Sequence, residues 1–541
     1  MKVRFVGPLG TVTGSCTLLE HDGVEFLVDC GLEQDQLSVP GWNKAPWPFD
    51  PARLRFVILT HAHADHCGLI PALYRRGFKG VVYCTRETAE IAAIMLKDSA
   101  RLSGGLYTEA EVDAIRWREP GKQVLGGYHP LAHDLFMQFF RTAHVLGSVA
   151  VRVLWGDRTQ GQQKSIVFSG DLGPDIEDEE GLPFLRHRMA VPPSDFAVIE
   201  STYGSKTREP TDQGLAPRQQ RLQHLVDKVM LDNGTLLIPA FSLGRVQDLL
   251  FDLHWLVARE PGRYAGLSLQ LDAPLAQALA PVIARGLERA EPNGRGKVRP
   301  LWLGKQLFRW LGLDDTDPVD IDRAIDICRL TMSLPAEHPD AAGRGNDIAK
   351  AWPRLLSSPA VTGKGRAFGS QGLGPKVVLA TSGMGDHGRA AHWLKRLLRD
   401  PASIVAFSGY CAASSVGGKL QALMDLPATE RRRLRADLAW SDGDAVPERE
   451  IQATLAVLPG YSGHADQAGL LAWAFSNYKG VTSAAGRTVF IQHGNEQDRV
   501  ALAQAISQRG RALGIPVDCV RPMANPCSYD LDAWGAATCA A

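Results

Sequence analysis

Short apolar runs that end abruptly in polar, glycine-containing turns recur along this chain and constrain its fold more than any other feature. They are rich in Val, Ile and Phe, and segments typical of helices often follow them. Buried strands that alternate with helices predict an α/β architecture. The clearest runs lie at residues 56–59, 166–168, 197–199, 236–238, 377–379, 404–407 and 489–491.

The length of the chain, 541 residues, is too great for one ordinary core and predicts two large domains. No apolar run is long enough to span a bilayer, so we expect no membrane segment. The first residues alternate like a strand and lack the apolar core of a signal peptide. A cytoplasmic location is therefore the expectation.

Two stretches break the α/β pattern. Residues 285–375 are rich in Gly, Pro and Arg with weak periodicity, and they are interpreted as insertions and long surface loops of a second domain. The last dozen or so residues, ending in AWGAATCAA, are interpreted as a poorly ordered tail.

Cysteine content and charge add weaker constraints. Nine cysteines are scattered without a CxxC pair, which favours reduced thiols, and Cys67 is expected to be a small buried residue, not a ligand. Formal net charge is zero, which counts mildly against a nucleic-acid partner. Basic clusters at 285–309 and 431–435 favour solvated surface over a track for a nucleic-acid backbone.

Chemically distinctive residues sit just after the predicted strands. His61, Asp171, Glu200, Ser382 and His493 each follow an apolar run. Open α/β sheets bind ligands at the carboxyl ends of their strands. Residues far apart in sequence are therefore expected to converge there.

The segment THAHADHCG at residues 60–68 predicts a metal site. His61 and His63 are two apart, so an extended backbone points both to one side. Asp65 and His66 come after the chain has turned toward a helix, and they can face a second position nearby. Imidazole with carboxylate suits zinc, and the residue types leave manganese and iron open.

Four ligands do not complete two metal sites, and three downstream residues are candidates for the remainder. His144 follows the segment FFRTA, Asp171 follows a strand that ends in FSG, and His493 follows VFIQ. An aspartate can bridge two metals through its two oxygens. The sequence thus predicts seven ligands in total, without deciding how they divide between the metals.

These motifs together resemble the metallo-β-lactamase superfamily. More narrowly, they are similar to its β-CASP nucleases, a family of bacterial and archaeal ribonucleases related to the endonuclease subunit of the eukaryotic cleavage and polyadenylation factor. The similarity spans nearly the whole chain. Besides the seven ligands it includes FLVDCG with Asp29, ESTYG with Glu200 as motif A, YSGHAD with His464 as motif B, and HGNE with His493 as motif C.

The resemblance implies a fold, an αββα sandwich with an inserted α/β domain of the β-CASP type. The expected bounds are 1–205 and 456–541 for the two parts of the sandwich and 206–455 for the insert. It also implies two Zn²⁺ per chain, with Mn²⁺ as an alternative. One metal would be held by His61, His63, His144 and Asp171, and the other by Asp65, His66, Asp171 and His493.

The expected reaction is attack of a metal-bound hydroxide on a phosphodiester, leaving 5′-phosphate and 3′-hydroxyl ends. His464 is the candidate proton donor to the leaving oxygen, with Glu200 as its partner and Asp65 also in the catalytic set. A metal ligand or a phosphate contact is the alternative role for His464. Asp29 would buttress the metal loop, the substrate would be single-stranded RNA, and a homodimer is compatible with the family.

Turns within the insert supply candidate substrate contacts. Ser242 and Arg245 in AFSLGR, and Ser382 in TSGMG, resemble family turns that face the substrate, and chain reversal is the alternative role. The family usually reads Gly-Gly-Arg after its Ser-Gly-Met, whereas this chain reads DHGR, so Arg389 is the candidate there. The later family turn GYQxxGT is also replaced, by GYCAASS. These departures affect substrate preference and leave the metal ligands intact.

Three other functions are the alternatives to RNA cleavage. A DNA nuclease of the superfamily typically carries an apolar residue at motif C, where this chain has His493. A small-molecule hydrolase is disfavoured by the insert of roughly 250 residues, because a cap of that size suits a groove better than a pocket. A non-catalytic scaffold would lose metal ligands, and all seven are present.

Overall fold

The protein divides into two compact units. The first consists of Met1–Glu177, His187–Arg208 and His464–Ala541, and the second of Asp178–Arg186 and Glu209–Gly463. A computed structural model describes residues 1–34, 41–102, 104–157, 161–176, 179–180, 184–209, 214–292, 298–332, 356–357, 374–409, 411–476, 487–522 and 527–534.

The strands of the described chain are mostly short and apolar. In chain order they are β1 Lys2–Phe5, β2 Thr17–His21, β3 Val24–Val28, β4 Phe56–Ile58, β5 Val81–Tyr83, β6 Trp117–Arg118, β7 His129–Ala132, β8 Leu135–Arg141, β9 Val149–Trp155, β10 Lys164–Phe168, β11 Asp175–Ile176, β12 Glu179–Glu180, β13 Phe196–Ile199, β14 Thr235–Pro239, β15 Ser268–Asp272, β16 Ala290–Pro292, β17 Val298–Pro300, β18 Leu356–Ser357, β19 Lys376–Ala380, β20 Ser403–Phe407, β21 Asp437–Ala439, β22 Ala445–Pro447, β23 Thr454–Val457, β24 Arg487–Ile491, β25 Val517–Val520 and β26 Tyr529–Asp530.

The helices range from one turn to five. In chain order they are α1 Ala64–Cys67, α2 Ile70–Arg75, α3 Arg86–Leu102, α4 Glu109–Asp113, α5 Leu215–Asp232, α6 Arg245–Arg259, α7 Pro274–Leu287, α8 Lys305–Leu311, α9 Pro318–Met332, α10 Gly388–Leu397, α11 Val416–Ala422, α12 Ala428–Arg431, α13 Gln467–Ala474 and α14 Glu496–Leu513.

The first unit is built on two seven-stranded sheets, ordered β26-β1-β2-β3-β4-β5-β6 and β25-β24-β13-β10-β9-β8-β7. They meet through aromatic contacts, among them Phe5 of β1 and Phe490 of β24 with ring centroids 5.4 Å apart. On the far side of the second sheet, Leu470 of α13 and Leu502 of α14 join the core formed by Val489 and its neighbours. The connections from β4 to β5 and from β5 to β6 are parallel crossovers through α1–α4, which places these helices on the first sheet.

Strand direction in the first unit brings its loops to one edge. Strands β3 and β4 run parallel in the first sheet, as do β10, β13 and β24 in the second. Strand β8 pairs antiparallel with β9, which pairs antiparallel with β10, so β8 and β10 run in the same direction. The residues that follow β8, β10, β13 and β24 therefore emerge at the same edge of the second sheet.

The second unit contains a six-stranded, all-parallel sheet ordered β18-β15-β19-β14-β20-β23. Both faces are covered, which explains the continuous apolar runs. Leu236 and Ile238 of β14 face a core with α5, α6 and α7. Leu237, between them in sequence, faces the opposite core with α10 and α11, since successive side chains of a strand alternate.

The α/β prediction is confirmed, and so is the sandwich with an inserted α/β domain. Every apolar run named from the sequence lies in a strand or ends one residue beyond it. The boundary expected at 455/456 cuts β23, whose Thr454–Val457 pairs with β20 along its whole length, so the second unit extends to Gly463. The second unit also takes up the short segment Asp178–Arg186, which the sequence did not predict.

The interpretation of 285–375 as loops is wrong for residues 305–311 and 318–332, which form α8 and α9. Ile321, Ile325 and Cys328 of α9 are buried, so tertiary packing stabilises a helix whose sequence periodicity is weak. Most of residues 333–373, and the predicted tail at 535–541, lie outside the described residues. In the described part of the chain, no helix is long and apolar enough to cross a membrane.

Phe490 offers a test of this architecture. Its ring is fully buried and lies within 5.5 Å, centroid to centroid, of Phe5, Tyr529 and Trp534. Phe490→Ala should lower the free energy of unfolding by about 3–5 kcal/mol, because it leaves a cavity at this aromatic cluster. Tyr128→Ala is the control, since Tyr128 is 43% exposed. Equal denaturation midpoints for the two variants would contradict the packing described.

Candidate metal centre

The loop after β4 is fixed by Asp29, which follows β3 on the neighbouring strand. Asp29 Oδ1 accepts a hydrogen bond from the Thr60 amide at 2.8 Å, and Oδ2 accepts one from Thr60 Oγ1 at 2.9 Å. His66 Nδ1 lies 2.7 Å from the same Oδ2. The structure thus places Asp29 where the predicted buttress of the metal loop requires it.

Close backbone packing holds the same loop from the other side. The backbone N–H of Cys30 donates to the carbonyl of His66, and that of Leu32 donates to the carbonyl of Ala64. A Cβ built on Gly31 would lie 1.6 Å from the carbonyl oxygen of Asp65, so only glycine fits there. The glycine of FLVDCG therefore lets the segment after β3 and the loop after β4 approach each other.

Hydrogen bonds decide which ring nitrogen faces the site. The Thr60 hydroxyl gives its proton to Asp29, so it accepts from His61 Nδ1 at 3.1 Å. His66 Nδ1 likewise donates to Asp29. The Nε2 lone pairs of both rings are left to face the cluster, which is the usual effect of such supporting bonds on metal ligands.

Four side chains form a first cluster, with ligand atoms that all lie within 4.8 Å of one another: His61, His63, His144 and Asp171. His63 Nδ1 is 3.2 Å from His61 Nε2 and 3.0 Å from His144 Nε2. Asp171 Oδ2 lies 3.4 Å from the Nε2 atoms of His61 and His144. The loops after β4, β8 and β10 contribute these residues.

A second cluster shares Asp171 with the first and adds Asp65, His66 and His493, again within 4.8 Å. His66 Nε2 is 3.3 Å from His493 Nε2 and 3.2 Å from Asp171 Oδ1. Asp65 Oδ2 is 3.3 Å from His493 Nε2. Asp171 therefore turns one oxygen toward each cluster, and its buried Oδ1 has no hydrogen-bond partner among the described residues.

The electrostatics of these groups fit divalent cations. Burial lowers the pKa of His63 to about 3 and also lowers the pKa values of His61 and His144. Burial opposes ionisation of Asp171, but the imidazoles of His493 and His66 more than offset it and hold its pKa well below the usual range. Neutral imidazoles and an ionised carboxylate are the forms that bind metal. Burial opposes the charged forms of His66 and His493, but nearby carboxylates outweigh it and raise their pKa values, so these two rings would release protons when a metal binds. The ring nitrogens of the close histidine pairs in both clusters lie 3.0–3.3 Å apart, so each pair would hold a proton or a metal ion between its two nitrogens.

Beside the clusters, His464 pairs with Glu200. His464 Nδ1 lies 3.0 Å from Glu200 Oε2, and Glu200 Oε1 accepts from the Leu172 amide at 2.6 Å. Burial lowers the pKa of His464, but the adjacent Glu200 carboxylate outweighs burial and raises that pKa above its ordinary value. The ring centroid is 4.7 Å from that of His144. Ligand-type atoms of Asp171, Glu200 and His464 also lie within 4.8 Å, so a ligand role for His464 remains a competing prediction.

Two supporting residues were missed by sequence reasoning. Thr60 Oγ1 links Asp29 to His61, and Thr202 Oγ1 lies 3.2 Å from His493 Nδ1. In the sequence, only their positions point to these roles: Thr60 directly precedes the HxH pair, and Thr202 lies two residues after Glu200. Cys67 is fully buried with Sγ 3.2 Å from the Ala62 carbonyl and joins neither cluster, as expected of a small core residue.

The predicted substrate contacts lie in the second unit and differ in accessibility. Ser242 and Ser382 follow β14 and β19, adjacent parallel strands, so they share the carboxyl edge of that sheet. Arg389 Nε lies 3.4 Å from Asp272, with 29% of its side chain exposed. Arg245 is buried and donates to Asp248 at 2.9 Å and to the Tyr461 carbonyl at 2.5 Å. These buried contacts give Arg245 a role in packing. Substrate contact by Ser242, Arg245, Ser382 and Arg389 stays a prediction.

A two-sheet sandwich with two histidine–aspartate clusters sharing one carboxylate at its strand ends defines a metal-dependent hydrolase. Residues 9–199 match the metallo-beta-lactamase superfamily, residues 246–420 the Beta-Casp domain, and residues 448–520 the Zn-dependent metallo-hydrolase RNA specificity domain. The three matches follow one another along the chain, and they confirm the resemblance to the metallo-β-lactamase superfamily and its β-CASP members that the sequence predicted.

Three curated relatives illustrate the similarity. A ribonuclease of Thermus thermophilus is 27% identical over 525 residues, covering 95% of this chain and 98% of that protein. Transcription termination factor FttA of Methanosarcina mazei is 24% identical, with 94% and 69% covered. Cleavage and polyadenylation specificity factor 73 of Drosophila melanogaster is 30% identical over 275 residues, which is 48% of this chain and 36% of that protein.

Metal content tests how the ligands divide. Asp171→Ala should abolish binding of both metals, because both clusters use its carboxylate. His144→Ala should remove about one equivalent, because His144 belongs to the first cluster alone. His133→Ala, with a fully exposed side chain, serves as the control. Elemental analysis after exhaustive dialysis measures the result, and an Asp171→Ala protein that keeps one equivalent would refute the shared carboxylate.

Proposed function

We propose that this protein is a metal-dependent ribonuclease that hydrolyses phosphodiester bonds of single-stranded RNA in RNA processing or decay. The observation that carries the proposal is the pair of clusters joined by Asp171, with the His464–Glu200 pair beside them. The similarity to a ribonuclease, and the match of residues 448–520 to an RNA specificity domain, favour RNA as the substrate.

The seven ligands would hold two divalent metals, which we propose to be Zn²⁺, with Mn²⁺ as the alternative. When bound, such a metal pair activates a water molecule for attack on phosphorus and offsets charge on the phosphate. The surrounding residues keep Asp65 and Asp171 ionised and hold the imidazoles in a fixed orientation. Asp29 and Thr60 provide the orientation at the metal loop, and Thr202 provides it at His493.

His464 would protonate the leaving 3′ oxygen, which gives 5′-phosphate and 3′-hydroxyl ends. With Nδ1 bonded to Glu200, Nε2 is the ring atom that would carry the transferable proton. The buried Glu200 carboxylate favours the charged imidazolium, which is the form that donates. The backbone N–H of Leu172, the residue after Asp171, donates to the Glu200 carboxylate and holds it in place.

Cleavage of end-labelled RNA tests the substrate. The zinc-loaded protein should cut single-stranded RNA and spare matched single-stranded DNA, leaving 5′-phosphate ends. The position of the label in the products separates internal from terminal cutting. Products ending in a 2′,3′-cyclic phosphate would refute attack by water. Metal-loaded protein that cuts neither nucleic acid would favour a small-molecule hydrolase or a scaffold, and preferential cutting of DNA would favour a DNA nuclease.

His464→Ala tests the proton donor. It should retain the metal content of the wild type and lose about 10²–10⁴-fold in kcat on RNA. Activity on bis(p-nitrophenyl) phosphate should persist, because p-nitrophenolate is a stable anion that leaves without a proton. His133→Ala is again the matched exposed control. Loss of metal in step with activity would instead identify His464 as a ligand.

A homodimer and a cytoplasmic location stay predictions from the sequence. Sedimentation equilibrium of the full chain would decide the first, and fractionation of cells that express it the second.

A further inference from the structure

The chain that carries Glu200 continues past His464 and makes a second set of contacts with it. After β13 and Glu200, residues 203–208 lie beside residues 464–467 within the first unit. The Gln467 backbone N–H donates to the Lys206 carbonyl at 2.8 Å, and Gln467 Nε2 donates to the Gly204 carbonyl at 2.6 Å. One short segment therefore touches both the ring of His464 and the backbone that follows it.

Arg208 makes the most direct of these contacts. Its Nη2 donates to the carbonyl oxygen of His464 at 2.8 Å, and its backbone N–H donates to Asp466 Oδ2 at 2.9 Å. The guanidinium carbon also lies 4.9 Å from the ring centroid of Tyr203. The Tyr203 ring in turn lies edge-on to the His464 ring, with centroids 6.2 Å apart.

Asp466 connects this contact to a helix. Its Oδ1 accepts from the Gly469 amide at 2.9 Å and caps the N-terminus of α13, while Oδ2 accepts from Arg208. The backbone N–H of Ala465, which lies between His464 and Asp466, donates to the Leu172 carbonyl at 2.7 Å. Asp466 is 5% exposed, so these bonds are shielded from water. The backbone on the C-terminal side of His464 is thus bonded at successive residues.

We propose that Arg208 and Asp466 are positioning residues that fix the backbone of His464, so that Glu200 alone does not set the place of its imidazole. The proposal rests on the proton-donor role given to His464 under the proposed function. A hydrogen bond from His464 Nδ1 to Glu200 orients the ring about one nitrogen, but the position of the ring depends on its backbone. A misplacement of about 1 Å at a reacting group can cost about 10²-fold in rate.

Steady-state kinetics on two substrates test the proposal. Arg208→Met should lower kcat on single-stranded RNA by about 10–10²-fold with KM unchanged. Its turnover of bis(p-nitrophenyl) phosphate and its metal content should match the wild type, because that leaving group needs no proton. Arg208→Lys should recover part of the loss, since lysine restores a donor. Asp466→Asn should likewise lower kcat on RNA and leave turnover of bis(p-nitrophenyl) phosphate unchanged. Arg53→Met is the matched control, an exposed arginine paired with Glu25 at 3.2 Å.

Other outcomes would overturn the proposal. A raised KM on RNA with kcat intact would make Arg208 a phosphate contact. An equal loss on both substrates would make it a residue needed only for folding or metal binding. An Arg208→Met protein with wild-type kcat and KM on both substrates would show that the contact positions nothing.

Hydrogen–deuterium exchange separates this proposal from the proposed function. Arg208→Met should speed amide exchange at residues 465–469 and leave exchange in the metal loop at 60–68 unchanged. If the wild type does not cut RNA, the proposed function fails, and faster exchange at 465–469 still supports the positioning of His464. If exchange there is unchanged, the positioning proposal fails whether or not RNA is the substrate.

Discussion

A buried carboxylate surrounded by imidazoles is the interaction on which the rest of the first unit depends. Both oxygens of Asp171 are used, one toward each cluster, and its side chain is 1% exposed. Burying an unpaired charge costs several kcal/mol, so this arrangement requires partners at every side. The partners come from both sheets, since His61 follows a strand of the first sheet and His144 and His493 follow strands of the second. The two clusters therefore also link the two sheets at their carboxyl edge.

Three of the candidate ligands, His61, His66 and His493, each contact a neighbour that is not itself a candidate ligand. Asp29 holds Thr60 and His66, Thr60 holds His61, and Thr202 holds His493. These bonds fix which nitrogen carries a proton, and they place the lone pair of the other nitrogen toward the cluster. The same logic extends to the proposed proton donor, where the backbone bonds at residues 464–467 supplement the ring contact of Glu200.

The second unit follows the same sheet geometry with different chemistry at its edge. Its parallel strands end in turns with small residues, at Ser242 and at Ser382. Buried ion pairs lie behind those turns: Arg218 donates to Asp252 at 2.7 Å, and Arg245 pairs with Asp248. A buried guanidinium needs a charged partner, and each of these two arginines has a carboxylate beside it. The sequence places Arg245 in a turn that resembles a substrate contact, yet packing of α6 turns its side chain inward.

The sequence by itself determined the α/β class, several buried strands of each unit and the identity of the metal-ligand candidates, because local pattern carries that information. Apolar runs of three or four residues predict buried strands, and HxHxDH after a strand predicts a ligand loop. Only the tertiary structure decided that Asp171 faces both clusters, that Thr202 supports His493 and that Arg208 bonds to the carbonyl of His464. Helices α8 and α9 were missed for the same reason, since their stability comes from burial of residues such as Ile321. These features depend on contacts between residues tens to hundreds of positions apart, and such contacts leave no local periodicity or spacing in one sequence.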